Sequence, residues 1–253
     1  MVAVAGALAA LLGVLALAIL RVGGPVGPGG GATAATGPGL EPVPSSAAEP
    51  SARDAGQGAS RSGARPVVDP AWVSATATAA GIPLPALRAY ADAELKVRAE
   101  QPGCHLSWNT LAGIGWVESQ HGTVGGRALG DDGRSSRPIL GPALDGAGGF
   151  AALHSTHESA TWHGDPVWEH AVGPLQFLAS TWARWGADGD ADGVADPGDL
   201  DDAALAAGRY LCADGHDLAT SAGWNAAVHS YNHDDGYVAA VAAAANTYVT
   251  RTR

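Results

Sequence analysis

The hydrophobic positions of this chain recur mainly with helical spacing, and no long stretch alternates between apolar and polar residues. This pattern predicts an all-helical (all-α) domain. We expect its main helices at about residues 70–80, 85–101, 109–119, 203–212, 222–232 and 236–250. Asp69 followed by Pro70 is typical of a helix start, and Gly81 of a helix end. A further helix is expected to begin with Ser180 as its cap.

One predicted helix carries an acid on its apolar face. If residues 109–119 are helical, Glu118 lies one turn after Ile114 and two turns after Leu111, on the same apolar stripe. Residues 105–129 contain no other Asp or Glu. A carboxyl at the end of an apolar stripe loses water, which raises its pKa towards the range that a general acid needs. The alternative is a Glu at a helix end that points into solvent.

The same helix contains two glycines, Gly113 and Gly115, and its predicted cap is Ser107 or Asn109. Glycine weakens a helix intrinsically, so the pair indicates close approach of another backbone or of a ligand. The alternative is that a buried helix merely tolerates them.

Residues 120–172 show little periodicity and many turn signals, which is typical of a functional loop or of short elements without a clear pattern. Four histidines lie in its second half: His154, His157, His163 and His170. Their spacing fits neither one helical face nor an HExxH motif, so surface or internally bonded histidines are favoured over a zinc site.

An acidic run follows at residues 188–199 and matches the twelve-residue calcium loop of an EF-hand. Gly193 stands at position 6, and Val194 would offer its backbone carbonyl at position 7. Carboxylates stand at positions 1, 3, 5, 9 and 12, which are Asp188, Asp190, Asp192, Asp196 and Asp199. We predict a structural Ca²⁺ site, because carboxylates packed this closely repel one another without a cation. The alternative is a bare, solvated acidic loop.

The N-terminal part of the chain predicts the compartment. Residues 1–20 are uncharged and mostly apolar, long enough to span a bilayer, so we read them as a membrane anchor; a signal segment cleaved near residues 32–34 is the alternative. Residues 21–67 are rich in Gly, Ala, Pro and Ser and predict a flexible linker, which leaves residues 68–253 as the folded domain. The domain is therefore expected outside the cytoplasm, either tethered to the membrane or secreted.

The charge of the chain narrows the possible partners. A net charge of -11 without a Lys/Arg cluster argues against a nucleic-acid partner and against attraction to an anionic membrane surface.

Cys104 and Cys212 are the only cysteines. Outside the cytoplasm we expect them to form a disulfide, with two free buried thiols as the alternative.

Several motifs occur together in one order. They are IGWVESQHG at residues 114–122, AVGPLQFLASTW at 171–182, the acidic run, and SYN at 230–232. In this order they resemble the lytic murein transglycosylases, and most of all the membrane-bound B type, whose lysozyme-like helical domain carries an EF-hand-like calcium loop. The resemblance covers about residues 68–250. It implies a lysozyme-like transglycosylase domain with an inserted calcium loop.

The resemblance also implies roles for individual residues. Glu118 matches the family's catalytic acid, and His121 stands where an aromatic residue is common. The residues that match glycan-binding positions are Ser119 of the Glu-Ser signature, Gln176 and Phe177 of the groove segment, and the pair Tyr231 and Asn232 that faces the glutamate.

The implied reaction cleaves the MurNAc to GlcNAc bond of peptidoglycan and leaves 1,6-anhydroMurNAc ends, with Glu118 as general acid and then base. The expected partner is the peptidoglycan glycan strand, and we expect a monomer. Two alternatives remain open. One is a lysozyme-type hydrolase with a second carboxylate from Asp131, Asp165, Glu169 or Asp234. The other is a non-catalytic wall-binding module.

Overall fold

The computed structural model describes residues 52–53, 67–147 and 151–253. The predicted membrane segment at residues 1–20 and nearly all of the predicted linker lie outside these residues. Among the helices that are described, none has the length and apolar character needed to cross a membrane.

The described part of the chain is helical, as the sequence predicts. Its eight α-helices are α1 Pro70–Ala80, α2 Leu84–Glu100, α3 Trp108–Ser119, α4 His157–His163, α5 Ala179–Trp185, α6 Leu200–Leu211, α7 Ser221–Tyr231 and α8 Asp235–Arg251. A 3-10 turn, Ala213–Gly215, follows α6. Two short strands, β1 Ala52–Arg53 and β2 Val67–Val68, pair antiparallel before α1.

The ends of α1 follow from local chemistry. The Asp69 side chain accepts a hydrogen bond from the N–H of Ala71 at 2.9 Å, which satisfies one of the unpaired donors of the first turn. Gly81 ends the helix with φ of 74°, a left-handed conformation that glycine adopts without steric cost. Both predictions for this helix are confirmed.

The predicted cap of α5 is wrong. The cap position is Leu178, which has an extended backbone, and Ser180 lies inside the first turn. The reason is that the preceding residue, Phe177, is paired in a hairpin with Val172, so the extended chain leads directly into the helix.

Helix α3 lies in the core, packed on α8, α2 and α6. A Cβ atom on Gly113 would lie 2.8 Å from the backbone oxygen of Val241 in α8, and one on Gly115 would lie 2.0 Å from the Tyr90 hydroxyl of α2. The close approach expected from these glycines is therefore that of neighbouring helices. Ser107 is the cap residue, but Glu94 Oε2 accepts the Trp108 N–H at 2.7 Å.

The two cysteines form a disulfide, as predicted. Cys104 precedes α3 and Cys212 follows α6, with 5.4 Å between their Cα atoms and 108 residues between them in sequence. Closing a loop of this length is worth roughly 4 to 5 kcal/mol in the chain-entropy account.

The region between α3 and α5 contains α4 and several isolated β-bridges, which the sequence did not predict individually. His163 Nε2 lies 3.0 Å from Glu169 Oε1, and His170 Nε2 lies 3.2 Å from Asp165 Oδ2. The other two of the four histidines in the second half of this region, His154 and His157, are exposed.

Candidate functional site

Glu118 lies in the last turn of α3 and is 1% exposed. Its Oε1 accepts a 2.7 Å hydrogen bond from the Tyr237 hydroxyl of α8, whereas its Oε2 is buried without a hydrogen-bond partner. Burial raises the pKa of Glu118 to about 8, against the opposing effect of the Tyr237 hydrogen bond. The sequence-based expectation of a carboxyl on an apolar stripe is confirmed, and the solvent-facing alternative is wrong.

One carboxyl oxygen of Glu118 has no hydrogen-bond partner in the described structure. With the Tyr237 hydroxyl as donor to Oε1, the proton of the neutral Glu118 carboxyl is expected on Oε2. A buried polar atom without a partner costs about 1 to 3 kcal/mol. An acid that is protonated at neutral pH and offers an unused O–H is suited to donating a proton to a ligand.

A tight hairpin at residues 172–177 contacts Ser119, the residue that follows this acid. Val172 and Phe177 exchange two backbone hydrogen bonds of 2.9 Å, and Gln176 has a left-handed backbone with φ of 53°. The Gln176 amide donates to the Gly173 carbonyl at 2.9 Å. Gln176 thus contributes to the hairpin itself, in a conformation that is uncommon for a residue other than glycine.

Hydrogen bonds join the hairpin to two helix ends. Ser119 Oγ donates to the Pro174 carbonyl at 2.6 Å, and the Tyr231 hydroxyl donates to the Leu175 carbonyl at 2.8 Å. Burial raises the pKa of Tyr231, and the charge of Glu118 raises it further, as expected for neighbouring groups. The structure therefore brings the ends of α3 and α7 and the hairpin together, although these segments are far apart in sequence.

The residues matched to glycan-binding positions are mostly buried. Ser119, Gln176, Phe177 and Asn232 are each less than a tenth exposed, whereas Tyr231 is half-buried. In the described structure these side chains support the site more than they present an open surface. A ligand can reach Glu118 Oε2 only if the side chains around it move apart.

Tyr237 is a functional candidate that the sequence did not indicate. Asp234 caps α8 by accepting the Tyr237 N–H at 2.8 Å, which fixes the tyrosine in the first turn of the helix. The available signal was weak: an Asp cap followed three residues later by an aromatic residue at the start of an Ala-rich helix.

His121 belongs to the core. It is 2% exposed, with Nδ1 3.1 Å from the Tyr90 hydroxyl and Nε2 2.8 Å from the Tyr248 hydroxyl. Burial lowers the pKa of His121 to about 3, so the ring is neutral. It does not occupy a sugar-contacting surface, although the matching position in the resembling family often holds an aromatic residue.

The carboxylates considered as a second catalytic group have other neighbours. Glu169 contacts His163, Asp165 accepts hydrogen bonds from the N–H groups of residues 167 and 168, and Asp234 caps α8. Asp131 is exposed. Burial and Tyr237, not another carboxylate, account for the pKa of Glu118.

The acidic run contributes to a candidate metal centre, which joins two of the predicted ligands, Asp188 and Asp190, with Asp202, which was not predicted. Oxygen atoms of Asp188, Asp190 and Asp202 lie within 4.8 Å of one another, and Gly193 makes the expected left-handed turn with φ of 93°. Burial raises the pKa of Asp202, and the charges of Asp190 and Asp188 raise it further. A hard cation would relieve this repulsion, and carboxylate oxygens are suitable ligands for it.

Asp199, predicted at position 12 of the loop, does not belong to this group. It caps α6 by accepting the Asp201 N–H at 2.9 Å, and its other oxygen faces Arg134 at 3.6 Å. The helix begins at residue 200, so the carboxylate that returns to the loop is Asp202, almost one turn later.

Two further predicted ligands also lie outside the group of three. Asp192 accepts the Val194 N–H at 2.8 Å, and Asp196 pairs with Arg134. The Val194 carbonyl stays a predicted ligand.

Comparison with known protein families, with curated proteins and with solved structures found no match for this chain. What the site can do therefore follows from its own residues and from the motifs that they form.

Proposed function

We propose that the protein is a lytic transglycosylase that cleaves the MurNAc to GlcNAc bond of peptidoglycan and forms 1,6-anhydroMurNAc ends. The observation that carries the proposal is the buried Glu118 carboxyl, whose pKa of about 8 keeps it protonated at neutral pH. One of its oxygens is held by Tyr237 and the other has no hydrogen-bond partner. The order of the motifs around this acid supports the same chemistry.

In the first step, Glu118 Oε2 donates its proton to the glycosidic oxygen. The bond between that oxygen and the anomeric carbon of MurNAc breaks, and GlcNAc leaves with a hydroxyl group. The Glu118 carboxylate formed in this step keeps the hydrogen bond from Tyr237, which favours the charged form of the acid. Tyr237 therefore stabilises the state that follows proton transfer.

In the second step, the 6-hydroxyl of the same MurNAc attacks the anomeric carbon and gives its proton to the Glu118 carboxylate. This step closes the anhydro ring, consumes no water and returns the acid to its starting state. Only one carboxylate is needed, whereas hydrolysis normally uses two. The separate local partners of Glu169, Asp165 and Asp234 support the single-carboxylate reaction.

The surrounding residues are assigned supporting roles. Ser119 and Tyr231 hold the hairpin at residues 172–177 in place through their hydrogen bonds to Pro174 and Leu175. Because Glu118 is 1% exposed, glycan binding must open the space around Oε2. We assign this opening to the hairpin, which Ser119, the residue after Glu118, contacts through its hydrogen bond to Pro174. Gln176, Phe177 and Asn232 are proposed to contact sugar after this opening.

We propose Ca²⁺ as the ion held by Asp188, Asp190 and Asp202. Oxygen ligands in a flexible loop suit this cation. Its proposed role is structural: it joins the loop to the first turn of α6 and takes no part in proton transfer.

The proposed place of action is outside the cytoplasm, at the cell wall, with the protein anchored through residues 1–20 or secreted. The Cys104–Cys212 disulfide supports an oxidising compartment.

The function is tested by incubating the full chain with peptidoglycan and calcium and measuring the soluble products by mass spectrometry. The matched control is Glu118→Gln, which keeps the size of the side chain but removes the acid. Products one water lighter than hydrolytic fragments, absent with the variant, would support the proposal. Hydrolytic products would favour a lysozyme-type enzyme, and tight peptidoglycan binding without products would favour a wall-binding module.

A further inference from the structure

A concave surface adjoins the hairpin at residues 172–177. It is a groove of about 450 Å³ lined by residues 134–135 and 138–140, Trp162 of α4, the hairpin at residues 172–174 and the loop at residues 194–198. We refer to it as the 134–198 groove. None of the proposed catalytic residues lines it.

Apolar side chains are concentrated in this groove. Leu140 and Val194, which come from separate segments, are 41% and 55% exposed, and both line it. The half-buried indole of Trp162 lies on the same surface. Large apolar side chains that remain exposed together, in a concave surface with polar groups, are typical of a ligand site.

The charges of the groove are already balanced within the protein. The guanidinium of Arg134 pairs with Asp196 and lies 3.6 Å from Asp199. A charged ligand would therefore have to displace an existing ion pair, and the net charge of -11 further disfavours an anion. A neutral ligand with apolar faces and polar edges suits these walls, because its rings can pack on Trp162 and Leu140 while its hydroxyl and amide groups meet Ser135 and the ion pair.

The groove and the Glu118 region share the hairpin at residues 172–177. Pro174 lines the groove, and its carbonyl accepts the hydrogen bond of Ser119, the residue that follows Glu118. A chain-like ligand that reaches Glu118 would pass this hairpin. The 134–198 groove is thus placed to hold units of the same ligand away from the bond that is cut.

We propose that the 134–198 groove is a saccharide-binding subsite that holds N-acetylated sugar units of the glycan strand, with Trp162 and Leu140 as its apolar walls. The identity of the strand rests on the proposed function, whereas the preference for a neutral saccharide rests on the groove itself.

The test measures binding of the N-acetylglucosamine tetramer to the full-chain Glu118→Gln variant by titration calorimetry in calcium. Trp162→Ala and Leu140→Gln are added separately to this background. We expect each to raise the Kd about tenfold or more, because each removes apolar contact with the sugar. The matched control is Trp116→Ala, which removes a tryptophan that is 48% exposed outside the groove and should leave the Kd within about twofold.

Two results would overturn the subsite: no binding of the tetramer, or a Kd that neither groove substitution changes. Thermal unfolding identifies a variant that fails to fold, and if Trp162→Ala does so, Leu140→Gln decides, since Leu140 lies at the surface. Failure of the proposed function is a separate result. In that case the wild-type chain yields no anhydro products although the groove substitutions still weaken tetramer binding.

Discussion

The Tyr237 hydroxyl donates a 2.7 Å hydrogen bond to Glu118 Oε1 and thereby joins the first turn of α8 to the last turn of α3, across 119 residues of sequence. Burial favours the neutral acid, and this bond favours the carboxylate. The two effects act in opposite directions, and the resulting pKa of about 8 allows Glu118 to be protonated at neutral pH and still ionise during a reaction.

Replacing Tyr237 by Phe should raise the pKa of Glu118 further and move the alkaline limit of kcat to higher pH. We expect kcat to fall about tenfold or more, because the carboxylate formed during the reaction loses a hydrogen bond worth about 1.5 to 3 kcal/mol. The measurement is the pH dependence of kcat. Tyr248→Phe is the matched control, since Tyr248 is also buried but contacts His121 instead of Glu118. Equal shifts of the alkaline limit in both variants would contradict the role of Tyr237.

The raised pKa of Glu118 also predicts how stability depends on pH. The folded-state pKa of about 8 exceeds the ordinary value of 4.5, so between these values the folded protein keeps a proton that the unfolded chain loses. The contribution of Glu118 is therefore fully present below about pH 4.5, falls as the pH rises and levels off above about pH 8. The total change is at most roughly 5 kcal/mol.

Denaturant unfolding of the wild type and Glu118→Gln at several pH values checks this prediction. The free energy of unfolding of the variant, relative to that of the wild type, should increase with pH across this window, because the amide does not ionise. A difference that stays constant from about pH 5 to about pH 9 would mean that Glu118 titrates as an exposed carboxyl.

Asp202→Asn should weaken cation binding more than Asp199→Asn does. Asp202 lies with Asp188 and Asp190, whereas Asp199 caps α6. The measurement is the rise in Tm that calcium produces in each variant, relative to the same variant in chelator, so that the structural cost of each substitution cancels. A smaller calcium-induced rise in Tm for Asp199→Asn than for Asp202→Asn would instead support Asp199 as the ligand at position 12 of the loop.

Replacing Cys104 and Cys212 together by Ala should lower the free energy of unfolding by about 2 to 5 kcal/mol, because the crosslink restricts the unfolded chain. Denaturant unfolding measures the loss. The wild type should show the same loss after reduction, and the double variant should not respond to reductant. An unchanged stability in both experiments would show that the disulfide contributes nothing to the fold.

The features that the sequence predicted correctly depend on short-range chemistry. Asp69, Pro70 and Gly81 lie within or beside a single helix, and the burial of Glu118 follows from the spacing of its apolar neighbours. These patterns need no knowledge of the distant chain.

The features that the sequence missed depend on contacts between distant segments or on where a neighbouring element begins. Ser180 is not a cap, because the hairpin places Leu178 at the start of α5. Asp199 caps α6, a role that its place in the acidic run did not indicate. The contact of Tyr237 with Glu118 requires α3 and α8 to pack against each other, which no local pattern indicates.

The central claim is that Glu118 works without a second carboxylate and that no water enters the product. Digesting peptidoglycan with the full chain in water enriched in the heavy oxygen isotope tests this claim directly. We predict anhydro ends without the heavy isotope, because the ring oxygen comes from the sugar's own 6-hydroxyl. Heavy oxygen at newly formed reducing ends would show that water attacks the anomeric carbon, and it would contradict the account.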